Sequence, residues 1–324
     1  MNENDHLPVL ITGLVRFGTS WTGEMISFAD NTCQLFEPFH PDHPCVFGDK
    51  KIGYHFPDSN YDIHEMKSYV ENLLQSKYFL FNELSCARSI KDVIRVFYRY
   101  FPLKLKCLVS KPSVLIKDPY AFFLAEWLEE EFKFKNVVLI RHPVAFVESF
   151  TRNTSWDRHS ICNSLVSQQS LLNKYDLIEF ESDLIKFAEM EIEIKKTKSV
   201  GFNDDMIRFE RASLIWNIFA KTYTEYCNKH NWIFLKYEEL ASNPVESFKK
   251  VYQELGFEFT TSQQVKIQNY CSGGNKVKSD KFVDLKRDSK SLVRSWEKRM
   301  DEKNIEYIKN LTKKYGESIY MNEF

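Results

Sequence analysis

The residue types able to do chemistry gather at the ends of short apolar runs. In Val9-Leu-Ile-Thr-Gly13-Leu-Val-Arg16-Phe17-Gly18-Thr19-Ser20-Trp21, an apolar strand passes through a loop with two glycines into a helix whose apolar face carries Trp21, Met25 and Phe28. A strand, loop and helix in that order present backbone N–H groups and a helix N-terminus to an anion, phosphate above all. The spacing is GxxxxG followed by Thr-Ser. A triphosphate-binding Walker loop needs lysine where Thr19 stands, so ATP or GTP hydrolysis is disfavoured, while Arg16 offers a cation from within the loop. The same residues also suit a plain structural role, a helix capped by Thr19 or Ser20 after a tight turn.

Three further strand ends carry polar residues. Cys33-Gln-Leu-Phe36-Glu37-Pro38-Phe39-His40-Pro41 ends an apolar run in a carboxylate. That carboxylate can act as general base if it faces the loop, or it can cap a helix or pair with a surface arginine. His40, His43 and His55 are rivals for the base. A metal site at His40, Asp42 and His43 is also weighed, although loop histidines beside prolines are more often surface residues, and no metal is expected. Val114-Leu-Ile-Lys117-Asp118-Pro119-Tyr120 places a lysine at a strand end, with Asp118 suited to start a turn before the proline. In Asn136-Val-Val-Leu-Ile140-Arg141-His142-Pro143, the proline is placed to open a helix that carries Ser149. The planar fork of Arg141 and the hydroxyl of Ser149 suit a phosphate.

These stretches, in this order, resemble the sulfotransferases that use 3′-phosphoadenosine 5′-phosphosulfate (PAPS). Arg16-Phe17-Gly18-Thr19-Ser20-Trp21 is similar to their 5′-phosphosulfate loop, with Phe17 in place of the usual small residue. Leu-Phe-Glu37-Pro is similar to the strand end of carbohydrate 6-O-sulfotransferases, and Lys117-Asp-Pro resembles tyrosylprotein and bacterial sulfotransferases. Arg141, followed eight residues later by Ser149, matches the family's 3′-phosphate site. The stretch Tyr237-Glu238-Glu239-Leu240 resembles the family's late strand and helix, with Tyr237 near the adenine or ribose. Lys276-Val-Lys278-Ser279-Asp-Lys281 and Arg287 to Trp296 look like its basic closing loop, from which Ser279 and Arg294 are carried over as nucleotide contacts.

The resemblance implies transfer of a sulfuryl group from PAPS to an acceptor hydroxyl, on a carbohydrate or small molecule, with 3′-phosphoadenosine 5′-phosphate (PAP) leaving. Glu37 is then the base, Arg16 and Lys117 face the developing charge, and no metal is needed. A P-loop kinase or NTPase is the enzymatic alternative, and a non-catalytic nucleotide-binding module the other.

Positioning these residues requires an α/β frame. Apolar runs at Val9 to Thr12, Cys33 to Phe36, Val114 to Ile116, Val137 to Ile140 and Trp232 to Leu235 alternate with helical stretches, including Ile63 to Gln75, Phe122 to Phe132 and Met206 to Cys227. That alternation predicts a parallel sheet with helices on both faces, hence a P-loop-like three-layer domain. Ligands bind such sheets beyond the carboxyl ends of their strands. Residues 155–205 are polar and helix-prone and read as an insertion or lid within one domain spanning 1–324.

The 44 basic and 45 acidic residues nearly cancel, which argues against nucleic acid as a partner. Seven scattered cysteines without a CxxC pair fit a reducing compartment, and the short apolar run after the acidic N-terminus cannot span a membrane, so a cytoplasmic location is expected. The sequons at Asn153 and Asn310 would matter only in a secreted protein.

Overall fold

The computed structural model describes residues 7–41, 53–57, 63–75, 90, 93–94, 112–152, 160–197, 201–202, 204–272, 286 and 288–321. The five apolar runs are five parallel strands: β1 (Val9–Gly13), β2 (Thr32–Phe36), β3 (Ser113–Lys117), β4 (Lys135–Ile140) and β5 (Ile233–Lys236), in the order β2-β3-β1-β4-β5. The register pairs Ile11 with Lys117 on one side of β1 and Gly13 with Leu139 on the other. Every residue of β1 and β3 is buried. Side chains alternate between the two faces of a strand, so complete burial means that helices cover both faces, which is why these strands are apolar throughout.

Each parallel neighbour needs a crossover. Helix α1 (Thr19–Ser27) joins β1 to β2 and packs over β1, β2 and β3. Between β2 and β3 the described residues include α2 (Ile63–Leu74), as the spacing from Ile63 predicted. Helix α3 (Ala125–Phe132) leads into β4, and α4 (Pro143–Thr151) leaves it. The helix expected from Phe122 begins instead as a 3-10 turn, Pro119–Leu124, before α3. The cause is local: Pro119 fixes the first turn, and the Asp118 side chain accepts the Tyr120 N–H at 2.8 Å. From the central strand β1 the chain turns to β2 on one side, while β4 lies on the other, and such a reversal opens a crevice at the carboxyl ends of the strands.

The polar stretch after β4 is helical, as expected: α5 (Ile161–Val166), α6 (Gln169–Lys174) and α7 (Glu181–Thr197) precede the long α8 (Asp205–Lys229). It is bound into the core rather than laid over it. The buried Glu191 of α7 accepts the Cys162 N–H at 3.1 Å and the Asn163 N–H at 3.0 Å, and it meets the buried Arg211 of α8 at 2.7 Å. Tyr175 adds a hydroxyl contact with Tyr226 at 2.9 Å and donates to Glu126 at 2.9 Å.

The chain continues after β5 through α9 (Tyr237–Ser242), α10 (Pro244–Leu255), α11 (Thr261–Cys271), α12 (Ser289–Val293) and α13 (Glu302–Tyr320). Helix α13 packs against α8 and α4. No described helix is long and apolar enough to cross a membrane.

The Glu191–Arg211 pair yields a stability prediction. Glu191→Leu leaves a buried guanidinium uncompensated and should cost about 3–5 kcal/mol in urea unfolding. Replacing both partners, as Glu191→Leu with Arg211→Met, should cost less than Glu191→Leu alone, and a double variant worse than the single one would contradict the buried-charge account.

Candidate active site

The loop after β1 is shaped by backbone conformation. Arg16 has φ 71° and Gly18 φ 96°. Gly18, rather than Thr19 or Ser20, is the N-cap of α1, and no side chain caps the helix. The first helical bond runs from the Thr22 N–H to the Gly18 carbonyl at 3.0 Å, so the preceding N–H groups at Thr19, Ser20 and Trp21 have no partner within the helix. This is the strand, loop and helix order that the sequence predicted. Phe17 serves differently from its neighbours. Its N–H donates to the Leu14 carbonyl at 3.0 Å, and its buried ring meets Phe146 edge-on at 5.4 Å, so a large residue is accommodated beneath the loop.

Gly18 is required by more than its φ. A Cβ there would lie 2.4 Å from Cδ2 of Tyr237, whose ring also meets Trp21 at 5.8 Å. Tyr237 opens α9 directly after β5, so β5 delivers this ring to the loop.

A cationic cluster forms at the ends of β1 and β4. Arg16 Nε and Nη2 both donate to Ser149 Oγ, at 3.0 and 2.8 Å. Arg141 Nη1 donates to the Arg16 carbonyl at 3.0 Å, and the Arg141 guanidinium lies 4.7 Å from the Tyr237 ring centre. Arg141 Nε is buried and lacks a hydrogen-bond partner. Arg16, Arg141, Ser149, Tyr237 and the N-terminus of α1 are thus one constellation, although they come from three separate stretches of chain.

Two carboxylates back this cluster, and spacing did not reveal either. Glu148, next to Ser149, is buried and pairs with Arg299 at 3.0 Å and Arg152 at 3.4 Å. Burial pulls the Arg299 pKa down, and Arg152 and Arg141 press the same way against the pull of Glu148. Glu238 is buried beside Arg141; burial raises its pKa, and Arg141 opposes that shift. The available signal for Arg299 was its place three residues after Trp296, which stacks on His142 at 5.2 Å with the rings 7° apart.

A second constellation lies at the ends of β2 and β3. Glu37 and Lys117 form an ion pair, with the Lys117 side chain fully buried and that of Glu37 23% exposed. Lys117 Nζ also sits 3.4 Å from the centre of the Phe36 ring. Glu37 has φ 51°, a left-handed conformation that non-glycine residues seldom adopt. Its N–H donates to the Lys117 carbonyl at 2.8 Å, and its carbonyl accepts the His40 N–H at 3.2 Å, which keeps the carboxylate at the strand end. Asp118 lies beneath and accepts the Phe39 N–H at 2.5 Å and the Tyr120 N–H at 2.8 Å. Burial and the nearby Glu37 raise its pKa.

The rival bases fare unequally. His55 is buried, and desolvation pushes its pKa down to about 3, so it stays neutral near pH 7 and is a weak proton acceptor. The His40 ring is half-buried, edge-on to Tyr120 at 4.8 Å. His43 and Ser279 lie outside the described residues, as do Lys276, Lys278, Lys281 and Arg287 of the expected closing loop. Arg294 is exposed and pairs with Glu297 at 3.6 Å. Among the described residues, no group of three or more His, Cys, Asp or Glu side chains could hold a metal ion.

The protein thus has a parallel five-stranded sheet with a glycine-containing loop after its central strand and two charged constellations at the same edge. The sulfotransferase-domain family matches residues 7–319, and the chain belongs to that family. No curated protein matches it. Among solved structures it is similar to the sulfotransferase domain from the Synechococcus PCC 7002 olefin synthase, at 16% identity over 97% of this chain and 96% of that one, with a TM-score of 0.47. Mouse sulfotransferase SULT7A1, complexed with PAP, is similar at 13% identity over 97% and 84%, with a TM-score of 0.40. Sulfotransferase STF9 from Mycobacterium avium is similar at 12% identity over 99% and 77%, with a TM-score of 0.42.

The contact between Gly18 and Tyr237 can be tested. Gly18→Ala forces a left-handed alanine, costing about 1–2 kcal/mol, and drives its methyl into the Tyr237 ring. The melting temperature should fall, and Tyr237→Ala in the same chain should recover the part due to the clash. A Gly18→Ala protein as stable as the parent would mean that the loop does not approach Tyr237.

Proposed function

We propose that the chain moves a sulfuryl group from PAPS to an acceptor hydroxyl, with Glu37 as general base, on a single domain spanning residues 1–324 with the helical stretch at about 155–205 built into it. The carrying observation is that the Arg16–Ser149–Arg141 cluster, at the ends of β1 and β4, and the Glu37–Lys117 pair, at the ends of β2 and β3, lie at the carboxyl edge of one sheet.

The residues present fit the donor. A helix N-terminus with N–H groups lacking an intrahelical partner suits the 5′ end, and a guanidinium with an orphaned buried Nε, linked through Arg16 to the Ser149 hydroxyl, suits the 3′-phosphate. Gly18, Thr19, Ser20 and Trp21 would hold the former, Arg141 and Ser149 the latter, with Arg16 between them and the Tyr237 ring alongside. Ser279 and Arg294 remain proposed contacts of a closing loop. When bound, PAPS supplies the sulfuryl group and departs as PAP.

The chain's own residues then divide the work. Glu37 takes the acceptor's proton, since a base must lie within hydrogen-bond reach of the hydroxyl it serves and this carboxylate is partly open at the strand end. Lys117 orients Glu37 and sets a fixed positive charge beside it. A unit charge pair about 4 Å apart is worth about 4 kcal/mol at an effective dielectric near 20, so a developing anion near Lys117 or Arg16 would be stabilised on that scale. Because Arg16 stands with Ser149, we read it as facing the donor and Lys117 as facing the acceptor.

The acceptor class proposed is a carbohydrate or small-molecule hydroxyl. The four cysteines among the described residues are free, in keeping with a cytoplasmic, reducing location. A phosphoryl-transferring NTPase is disfavoured by Thr19 in the place of the Walker lysine.

Donor choice is checked by melting. At one hundred times its dissociation constant a ligand adds about 2.7 kcal/mol, so PAP should raise the melting temperature clearly and ATP much less. Equal shifts with the two nucleotides, or a shift that needs Mg²⁺, would favour the NTPase reading.

The base is checked by Glu37→Gln, which retains volume and reach but cannot take the proton. PAP affinity should survive, and transfer should fall by about 10²- to 10⁴-fold. Near-normal transfer would move the base to His40, and collapse of the fold would make Glu37 a structural residue.

A further inference from the structure

Glu238 follows Tyr237 at the start of α9, and the proposed reaction gives it neither a ligand to hold nor a proton to move. It is buried, yet both carboxylate oxygens are engaged at the end of β4. Oε1 accepts the His142 N–H at 3.0 Å, and Oε2 accepts the Tyr320 hydroxyl, from the last turn of α13, at 3.2 Å. The Arg141 carbonyl, on the opposite edge of the same peptide group, accepts Trp216 Nε1 of α8 at 2.8 Å. Both polar atoms of the Arg141–His142 peptide are therefore held by side chains.

This peptide lies just past the last rung of the sheet, because the β4–β5 pairing ends at Ile140 opposite Lys236. With no further strand partner, its orientation depends on Trp216 and Glu238. That orientation fixes the direction in which the Arg141 side chain leaves the backbone. The His142 ring adds a brace, stacked on Trp296 and edge-on to Tyr320, each at 5.2 Å.

We infer that Glu238 is a positioning residue for nucleotide recognition: it clamps the Arg141–His142 peptide so that Arg141 is aimed at the 3′-phosphate, and through Tyr320 it ties that aim to the docking of α13. The inference rests on the reading of Arg141 as a 3′-phosphate ligand. A purely structural Glu238 would affect every nucleotide alike. A positioning Glu238 acts only through Arg141, and its influence disappears with that residue.

The experiment is calorimetric titration of PAP and of adenosine 5′-phosphate into the parent chain, Glu238→Ala, Arg141→Ala and the double variant. Leaving a buried donor unpaired typically shifts an equilibrium by about tenfold or more, so Glu238→Ala should weaken PAP by about tenfold while adenosine 5′-phosphate stays within about twofold. In the Arg141→Ala background the same change should cost PAP nothing further.

Equal losses for both ligands, or additive losses in the double variant, overturn the inference. Should Arg141→Ala abolish the preference for PAP while Glu238→Ala preserves it, only the positioning role fails. If Arg141→Ala itself leaves the preference intact, the 3′-phosphate assignment fails and the inference with it. Where Glu238→Ala does not fold, Tyr320→Phe serves, because it removes one of the two bonds to the carboxylate. It should give a smaller loss confined to PAP, and an unchanged preference would overturn the proposal.

Discussion

The buried ammonium of Lys117 constrains the site at the ends of β2 and β3. A cation with no access to water is tolerated only when its charge is matched, since desolvation costs several kcal/mol per ion. Glu37 supplies the match, and the Phe36 ring face adds to it. The consequences spread outward. Glu37 takes up a left-handed backbone. Helix α1 must carry glycine at position 23, where a Cβ would lie 2.9 Å from Lys117 Cγ and 2.6 Å from Gln34 Nε2. Asp118, directly after the lysine, turns inward to hold the Phe39 and Tyr120 N–H groups, fixing the two loops that flank the pair. Strain of this kind, held at a strand end by its surroundings, is where function concentrates.

The cluster at the ends of β1 and β4 follows a different rule. Several guanidinium groups gather there: Arg16 and Arg141 at the loop, with Arg152 and Arg299 behind. Such a gathering is held together by carboxylates placed beneath it, Glu148 under one flank and Glu238 under the other. Glu148 pairs with Arg299 and Arg152, and Glu238 holds the His142 N–H next to Arg141. The long connection from β4 to β5 contributes as well, because α8 carries Trp216, which holds the Arg141 carbonyl.

Much of the frame was legible in the sequence because it depends on short-range regularities. All five strands follow from apolar runs, α2 from the spacing of its apolar residues, and α8 from a helical stretch rich in aromatics. The loop after β1, Glu37, Lys117, Arg141 and Ser149 were singled out by the family resemblance, together with the strand ends that all but Ser149 occupy. Less legible were the 3-10 start of the segment after Asp118 and the left-handed Arg16 and Glu37, which residue type does not announce. Glu148, Glu238 and Arg299 escaped notice since an acid or arginine within a helical stretch looks like a solvated face until its neighbours are known.

By itself, then, the sequence determined the order of strands and helices, the anion-ready loop and the residue types at each strand end, since these depend on neighbours a few positions away. Tertiary structure decided which charges meet. Arg16 with Ser149, separated by 133 positions, and Lys117 with Glu37, separated by 80, are pairings that no local pattern encodes. They arise because the sheet order brings separate strand ends together and because a charge withdrawn from water must find its opposite there.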